Sequence, residues 1–390
     1  MRTNRWLTTL VCGFMADLSE AVTAVSPQSE QHTHGSLRRW VRPTQAARRG
    51  LVVVVWLACI GAFAVLVLMM LEDTPLQSAS SRALSVAYIA FMCRTFALHG
   101  ALAALFFAVL AFSLRQRVAG SALVVLSASF SAPYVALLVG RESIDAQSPP
   151  SREVRILSMN VLLTNVDPQP ALAFIREHEP DVVMVQEHTP AWHKALTASL
   201  AQDYPFVVNE MRNDAFGQAI FSRHPFAEPP VLRLSERTQA ASARVTGAQG
   251  LHDPQIRVVL DIDGQHLVLQ NVHTVPPADK ALFYEQRVQF SEFIDLARTE
   301  TRPLLMAGDF NATSNSRHIQ HLLAAGMRDA NAIAGTGLGN TWPDLGPLRY
   351  LPRIRIDHTL VNARVSVRRH ILGPSIGSDH RPLLTCITMQ

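Results

Sequence analysis

A chain of 390 residues, 48% of them hydrophobic, has room for two or three domains and a real core. Its pI near 9.1 invites a nucleic-acid partner, but the charge lies in the wrong place. Before Arg141 there are 11 Arg against 5 acidic residues, and from Arg141 onward 24 Lys and Arg against 26 acidic, so the larger C-terminal part carries no general polyanion-binding charge. Of Cys12, Cys59, Cys93 and Cys386, only the last falls in that part, which excludes a disulfide within it and gives no sign of a Cys metal cluster.

The segment 1–50 is polar and basic, with Arg38, Arg39, Arg42, Arg48 and Arg49; its short apolar stretch Trp6 to Ala16 reads as an interfacial or disordered piece rather than a secretory signal. Leu51 to Leu71 holds no charge, and 21 residues at about 1.5 Å each match a hydrocarbon core of about 30 Å. Ala83 to Leu114 is apolar except for Arg94 and His99 and exceeds one span, so Thr95 to Leu114 is taken as its crossing part. Arg94 is expected to snorkel at an interface and His99 to face another helix. Val118 to Gly140 forms a third span, with Pro133 tolerated inside a bundle. Residues 51–140 thus read as a three-helix membrane anchor. The Arg flanks put the N-terminus and the Arg115/Arg117 loop in the cytoplasm, and everything after the Pro-rich linker 141–152 outside it, as a multi-pass protein of the cell (inner) membrane.

The remainder, 153–390, alternates strands and helices. Val154 to Leu162 reads as a strand carrying Asn160 near its end, Gln169 to Glu177 as a helix, and Asp181 to Glu187 as a buried strand closing on Glu187. A glutamate after a run of Val and Met needs a cation, a cleft or simply water. Ala191 to Gln202 is helical and Phe216 to Ser222 a strand. Ile256 to Ile262 and His266 to Val272 pair across Asp263-Gly264, a hairpin signal, and lead into His273. Ala278 to Thr299 is an amphipathic helix with Phe283, Val288, Phe290, Phe293, Ile294 and Leu296 on its apolar side.

Pro303 to Thr313, PLLMAGDFNAT, then delivers Asp309 and Asn311 from the end of a buried strand, where open α/β sheets place their sites. Two apart on an extended segment, they share one face and are able to hold a water beside a phosphoryl oxygen; alone, the pair would also suit an ordinary turn. A helix follows near Ser316 to Ala325, then Thr341-Trp342-Pro343, then a strand over Arg353 to Val361. Within it Asp357 and His358, at adjacent positions, point to opposite faces, so only one faces a cleft. Ser378-Asp379-His380 precedes the last strand, Pro382 to Thr388.

The succession MNV, VQE, NVH, GDFN, RIDH, SDH resembles that of the endonuclease/exonuclease/phosphatase (DNase I-like) superfamily, over roughly Arg152 to Met389. The resemblance implies a four-layer α/β sandwich, two packed mixed β-sheets flanked by helices, with the site at one end. It implies an Mg²⁺ ion, with Mn²⁺ as the alternative, held principally by Glu187, with Asn160 and Asp379 close to the metal directly or through water. Asp309 would align and deprotonate the attacking water and Asn311 hold a phosphoryl oxygen. His273 and His380 would contact the phosphate, with Asp357 orienting His380. An oxygen-rich donor set suits Mg²⁺ independently of the resemblance. The expected activity is a membrane-anchored hydrolase of a phosphomonoester, phosphodiester or pyrophosphate bond. Its expected partners are membrane lipids and a lipid-linked phosphorylated substrate. An extracytoplasmic nuclease is the less favoured alternative because of the domain's charge, and no protein partner is indicated. A non-catalytic sensor on the same fold would have lost Glu187, Asp309 or His380, and all three are present.

Overall fold

The uncharged run expected from Leu51 folds as helix α1 (Gln45–Leu68), extended by a 3-10 turn at Met69–Leu71. The structure, a computed structural model, describes residues 44–73, 81–139, 152–236, 238–239 and 253–390. Most of the basic segment 1–50 and of the linker 141–152 lies outside the described residues. The helix takes in Arg48 and Arg49, earlier than expected from charge, because arginine propagates a helix well and adds no breaker. Three more helices follow: α2 (Ser81–Thr95), α3 (Ala97–Ser113) and α4 (Arg117–Val139). Among the described residues two helices, Gln45–Leu71 and Arg117–Val139, are long and apolar enough to cross a membrane; α2 and α3, bent by 69° between them, make a third only if taken as one span.

Of the bent pair, α3 packs in the bundle, where a row of alanines at Ala97, Ala101, Ala104, Ala108 and Ala111 lets α1 and α4 approach closely. Helix α2 instead lies on the C-terminal domain. Tyr88 donates to the Ala278 carbonyl at 3.0 Å, and Phe91 packs on Phe283 with ring centroids 5.2 Å apart. Arg94 and His99 therefore differ from expectation. The Arg94 guanidinium does not snorkel but is enclosed: Nε lies 3.0 Å from Glu72 and donates to Met69 O, while another nitrogen donates to Asn315 O. His99 faces a domain loop rather than a helix, with Nε2 2.9 Å from Pro352 O. Burial leaves a charged group no partner but the polar atoms nearest it; for Arg94 the end of α1 supplies Glu72 and Met69 and the domain Asn315, and for His99 the domain supplies Pro352. Helices and domain belong to one compact unit, Arg49–Gln390.

In the domain, β1 (Val154–Asn160), α5 (Gln169–His178), β2 (Val182–Gln186), α6 (Pro190–Leu200), β3 (Phe206–Glu210) and β4 (Gln218–Ser222) form the first half. The second half comprises β5 (Arg257–Ile262), β6 (Gln265–His273), α7 (Lys280–Thr299), β7 (Leu304–Asp309), α8 (Arg317–Ala324), β8 (Arg328–Asp329) and α9 (Ala330–Ala334), then β9 (Asp357–Val361), β10 (Val365–Leu372) and β11 (Leu383–Met389). Among the described residues one sheet runs β10-β11-β1-β2-β4-β3 and the other β5-β6-β7-β9-β8. Both are mixed: β1 pairs parallel with β2 and antiparallel with β11, and β6 pairs parallel with β7, which pairs antiparallel with β9. Ile156, Met184 and Ile220 of one sheet interleave with Leu260, Leu269 and Leu305 of the other. Outside, Leu172, Ile175, Trp192 and Leu196 of α5 and α6 cover the first sheet; Phe283, Phe290, Phe293 and Ile319 of α7 and α8 cover the second. These are the four layers expected. The strand expected from Arg353 starts only at Asp357, because Arg355 turns inward to pair with Asp329 and Ile354 bridges to Trp342.

The parallel pairing of β6 and β7 depends on Gly308. Its φ is +145°, and a Cβ there would overlap the Val272 carbonyl of the neighbouring strand. Gly308→Ala should therefore destabilise the domain by at least about 2 kcal/mol, read as a lowered unfolding midpoint of the full chain in detergent.

Candidate active site

The strands that share a direction in the two sheets end together, and their last residues meet at one end of the seam. Asn160 closes β1, Glu187 follows β2, His273 closes β6 and Asp309 closes β7; Asp357 opens β9 opposite Asp309, and Asp379 and His380 precede β11. Buried polar side chains knit the seam below them: Gln186 Nε2 donates to Asn271 Oδ1 at 2.6 Å, and Asn271 Nδ2 donates to the Val185 and Ala219 carbonyls. Such bonds across two sheets fix how one is set against the other.

Asp309 is the hub. Its Oδ2 accepts from Asn160 Nδ2 at 3.2 Å and lies 3.7 Å from His273 Nε2 and 3.6 Å from His380 Nε2. Its Oδ1 accepts from the Asn311 backbone at 2.8 Å. The same Asn160 amide donates to Glu187 Oε1 at 3.0 Å, linking the two carboxylates. His380 Nδ1 lies 2.8 Å from Asp357 Oδ2, an imidazole held between an acid behind it and one in front. His358, one residue on, turns the other way and bonds Ala312 O. Asn311 Nδ2 donates to the Thr274 carbonyl, which orients the amide at the mouth. Two acidic residues and a histidine, Asp309, Asp357 and His380, offer ligand atoms all within 4.8 Å of one another. Within that trio the charges already pair with one another, whereas Glu187 accepts only from the neutral donors Asn160 and Leu163, and Asp379 comes no nearer to a cationic group than 4.0 Å, at His380 Nε2.

The electrostatics follow from burial. Desolvation raises the Glu187 carboxyl above its ordinary range, against two hydrogen bonds and the nearby His380, and Asp379 pushes it further up. Burial also raises Asp309. Burial alone would lower His380, but Asp357 and Asp309 outweigh it and the imidazole is held well above its usual value, a cation at neutral pH. His273, fully enclosed, is pushed down and stays neutral. Four carboxylates thus face one cation. Asp379 Oδ1, out of solvent, has no hydrogen-bond partner. This excess of hard oxygen donors fits a divalent cation of the Mg²⁺ type.

Leu162, Glu187 and Asn311 all have left-handed backbones, with φ of +62°, +58° and +46°. Non-glycine residues adopt such conformations seldom; two of the three are the candidate site residues themselves, and the Leu162 N–H donates to Asn160 Oδ1 at 3.0 Å. In Glu187 the turn ends β2 abruptly and leaves Oε2 accepting from Leu163 N at 2.6 Å.

Three contributors escaped the sequence. Trp342 Nε1 donates to Asp379 Oδ2 at 3.0 Å. Thr341 Oγ1 accepts from the Ile356 and Asp357 backbones. Gln286 of α7 reaches Thr274 and the carbonyls of Val275, Phe310 and Asn311, bracing the loop that carries Asn311. Its trace in the sequence is a Gln three residues after Phe283, on the helix's apolar side. Trp342→Phe keeps an aromatic ring but removes the N–H that bonds Asp379; the divalent-cation concentration for half-activation should rise about 10–100-fold.

A sandwich of two mixed sheets with acids and imidazoles converging at one end is the frame of a hydrolase. Residues 157–380 match the Endonuclease/Exonuclease/phosphatase family, and the chain belongs to that family. It is accordingly a metal-dependent hydrolase of phosphoester bonds. Among solved structures the fold is similar to that of D. rerio TDP2 complexed with a single-strand DNA product, at 18% identity and TM-score 0.50, over 61% of this chain and 99% of that one. It is also similar to an endonuclease/exonuclease/phosphatase from Beutenbergia cavernae (20% identity, TM-score 0.47, 61% and 72%) and to a mannosyl-6-phosphatase of Bacteroides thetaiotaomicron (19%, 0.45, 60% and 100%). No curated protein matches the sequence.

Proposed function

We propose that the protein is a membrane-anchored, Mg²⁺-dependent phosphoesterase acting on a lipid-linked phosphate, diphosphate or phosphodiester outside the cytoplasm, with residues 153–390 as the catalytic domain. The observation that carries the lipid preference is the hydrogen bond from His99, in the first turn of an apolar helix, to Pro352, in the loop between Trp342 and Asp357. It couples the site's own loops to the membrane segment. A phosphate carried in the bilayer surface is then the substrate at highest effective concentration. The Arg flanks of the helices support the extracytoplasmic side.

Glu187 and Asp379, with Asn160 between Glu187 and Asp309, would hold the cation; when bound, it supplies positive charge against the phosphoryl oxygens and the leaving oxygen. Asp309, raised by burial and free of any salt bridge shorter than 3.6 Å, is suited to align a water and accept its proton. His380, cationic and fixed by Asp357, donates to a phosphoryl or leaving oxygen. Neutral His273 donates from the other side, and the Asn311 amide completes the cradle. No side chain need form a covalent intermediate.

The test is hydrolysis by the full-length protein with Mg²⁺ of polyprenyl diphosphate, sphingomyelin, bis-p-nitrophenyl phosphate and single-stranded DNA. A kcat/KM highest for one of the two lipids is the expected result. DNA as the best substrate would replace the lipid assignment with a nuclease, against the near-balanced charge of the domain.

A further inference from the structure

Between buried Asp344 and buried Ile354 the chain leaves the domain surface, and every residue from Leu345 to Pro352 is exposed. Four of them are large and apolar: Leu345 is 47% exposed, Leu348 41%, Tyr350 81% and Leu351 56%. They sit on and around a single 3-10 turn, Gly346–Tyr350. An apolar projection of this kind on a domain surface calls for a covering partner.

Its attachment says which partner. The base of the loop is pinned to the site: the Asp344 backbone donates to the Asp379 carbonyl at 2.7 Å, and Arg353 pairs with Asp344 at 3.1 Å. The carbonyl of Pro352, its last residue, accepts from His99 Nε2, two residues into α3, at 2.9 Å. Leu98 of α3 and Tyr134 and Leu137 near the end of α4 line one small cavity with Arg353, Ile354 and Arg355. The end of α1 meets the domain too, where Glu72 accepts from the Arg317 backbone at 2.8 Å. Three helix ends therefore define one level, and the loop leaves the domain at that level. Beyond it, the helix surface is exposed and apolar, at Leu102, Leu105 and Phe106. Arg349, whose guanidinium lies 5.5 Å over the Tyr350 ring, places a cation among the apolar side chains, as suits the anionic headgroup zone.

We infer that Leu345 to Leu351 is a bilayer-inserting lip: Leu348, Tyr350 and Leu351 enter the interfacial region of the leaflet beside the catalytic domain, with Arg349 at headgroup level. The inference rests on the membrane placement in the functional proposal and deepens it, since the lip would hold the Trp342–Asp379 wall of the site against the headgroups and let a lipid phosphate enter without leaving the bilayer.

The test uses the full-length protein carrying Tyr350→Trp, reconstituted in phosphatidylcholine/phosphatidylglycerol vesicles with and without brominated acyl chains. The parent's own tryptophan emission is subtracted. Tyr350 is outside the core, so the substitution leaves folding intact. The added indole should emit blue-shifted, be quenched by brominated lipid and be shielded from aqueous acrylamide. His266→Trp, at the opposite end of β6 from His273, should show none of these. An indole at 350 quenched by acrylamide as readily as the one at 266 would overturn the inference. So would one shielded from acrylamide yet untouched by brominated lipid, which would mean that protein covers the loop. The readout needs no turnover, so a quenched indole in a protein that prefers DNA would sink the lipid-substrate reading while leaving the lip in place.

Discussion

Replacing Glu187 by Gln is expected to lower kcat/KM by about 10²–10⁴-fold at millimolar Mg²⁺ and to recover part of it as Mg²⁺ is raised. The substitution keeps the side chain's size and its bond to Leu163 N but removes the charge that, with Asp379, makes this corner of the site anionic. Because the residue stands at a strand end, outside the packed core, the thermal midpoint without metal should change little. If the variant kept full activity in EDTA, a cation at Glu187 would be the wrong assignment.

The second large effect concerns the pair that faces the phosphate. Asp309→Asn and His380→Ala should each lower kcat by about 10²–10⁴-fold with far smaller changes in KM. The first substitution removes the carboxylate that lies between two imidazoles, the group proposed to take the proton from water, and the second removes the imidazolium 2.8 Å from Asp357. Interactions made chiefly in the transition state leave that signature. Steady-state kinetics on a soluble diester would read it directly. A raised KM at unchanged kcat would instead make either residue a headgroup binder.

Much of this was visible in the sequence because strand ends are. Asp309 follows an unbroken apolar run, Glu187 follows one but for Gln186, and Asn160 and His273 close mainly apolar strands interrupted by Arg155 and Ser158 and by Gln270 and Asn271; such strands advertise both themselves and the place where they stop. The choice between Asp357 and His358 was legible only as an alternative, since alternation says that the two diverge without saying which faces inward; the sheet pairing of Asp357 with Asp309 decides it. What sequence could not supply was contact between distant elements. Trp342 lies 37 residues from Asp379 and Gln286 lies 25 from Asn311, and no periodicity connects them. Arg94 was misjudged for the same reason. Within its own helix it is a charge in an apolar run, and only the folded chain shows Glu72 after α1 and Asn315 of the domain as its partners. The strands β3, β8 and β10 also went unread; β3 is half-exposed, β8 spans two residues and β10 is broken by Arg368, Arg369 and His370, so none shows the apolar run that marks the others.

Asp309 ends a strand of one sheet and His380 precedes a strand of the other, and the central claim is that the two act in a single displacement across the seam. The most direct test is the double variant, Asp309→Asn with His380→Ala, compared with both single variants in kcat under saturating Mg²⁺. Groups serving one step should give a double variant little slower than the poorer single one. Losses that multiply would show the two residues working in separate steps, and the site as assembled here would be wrong.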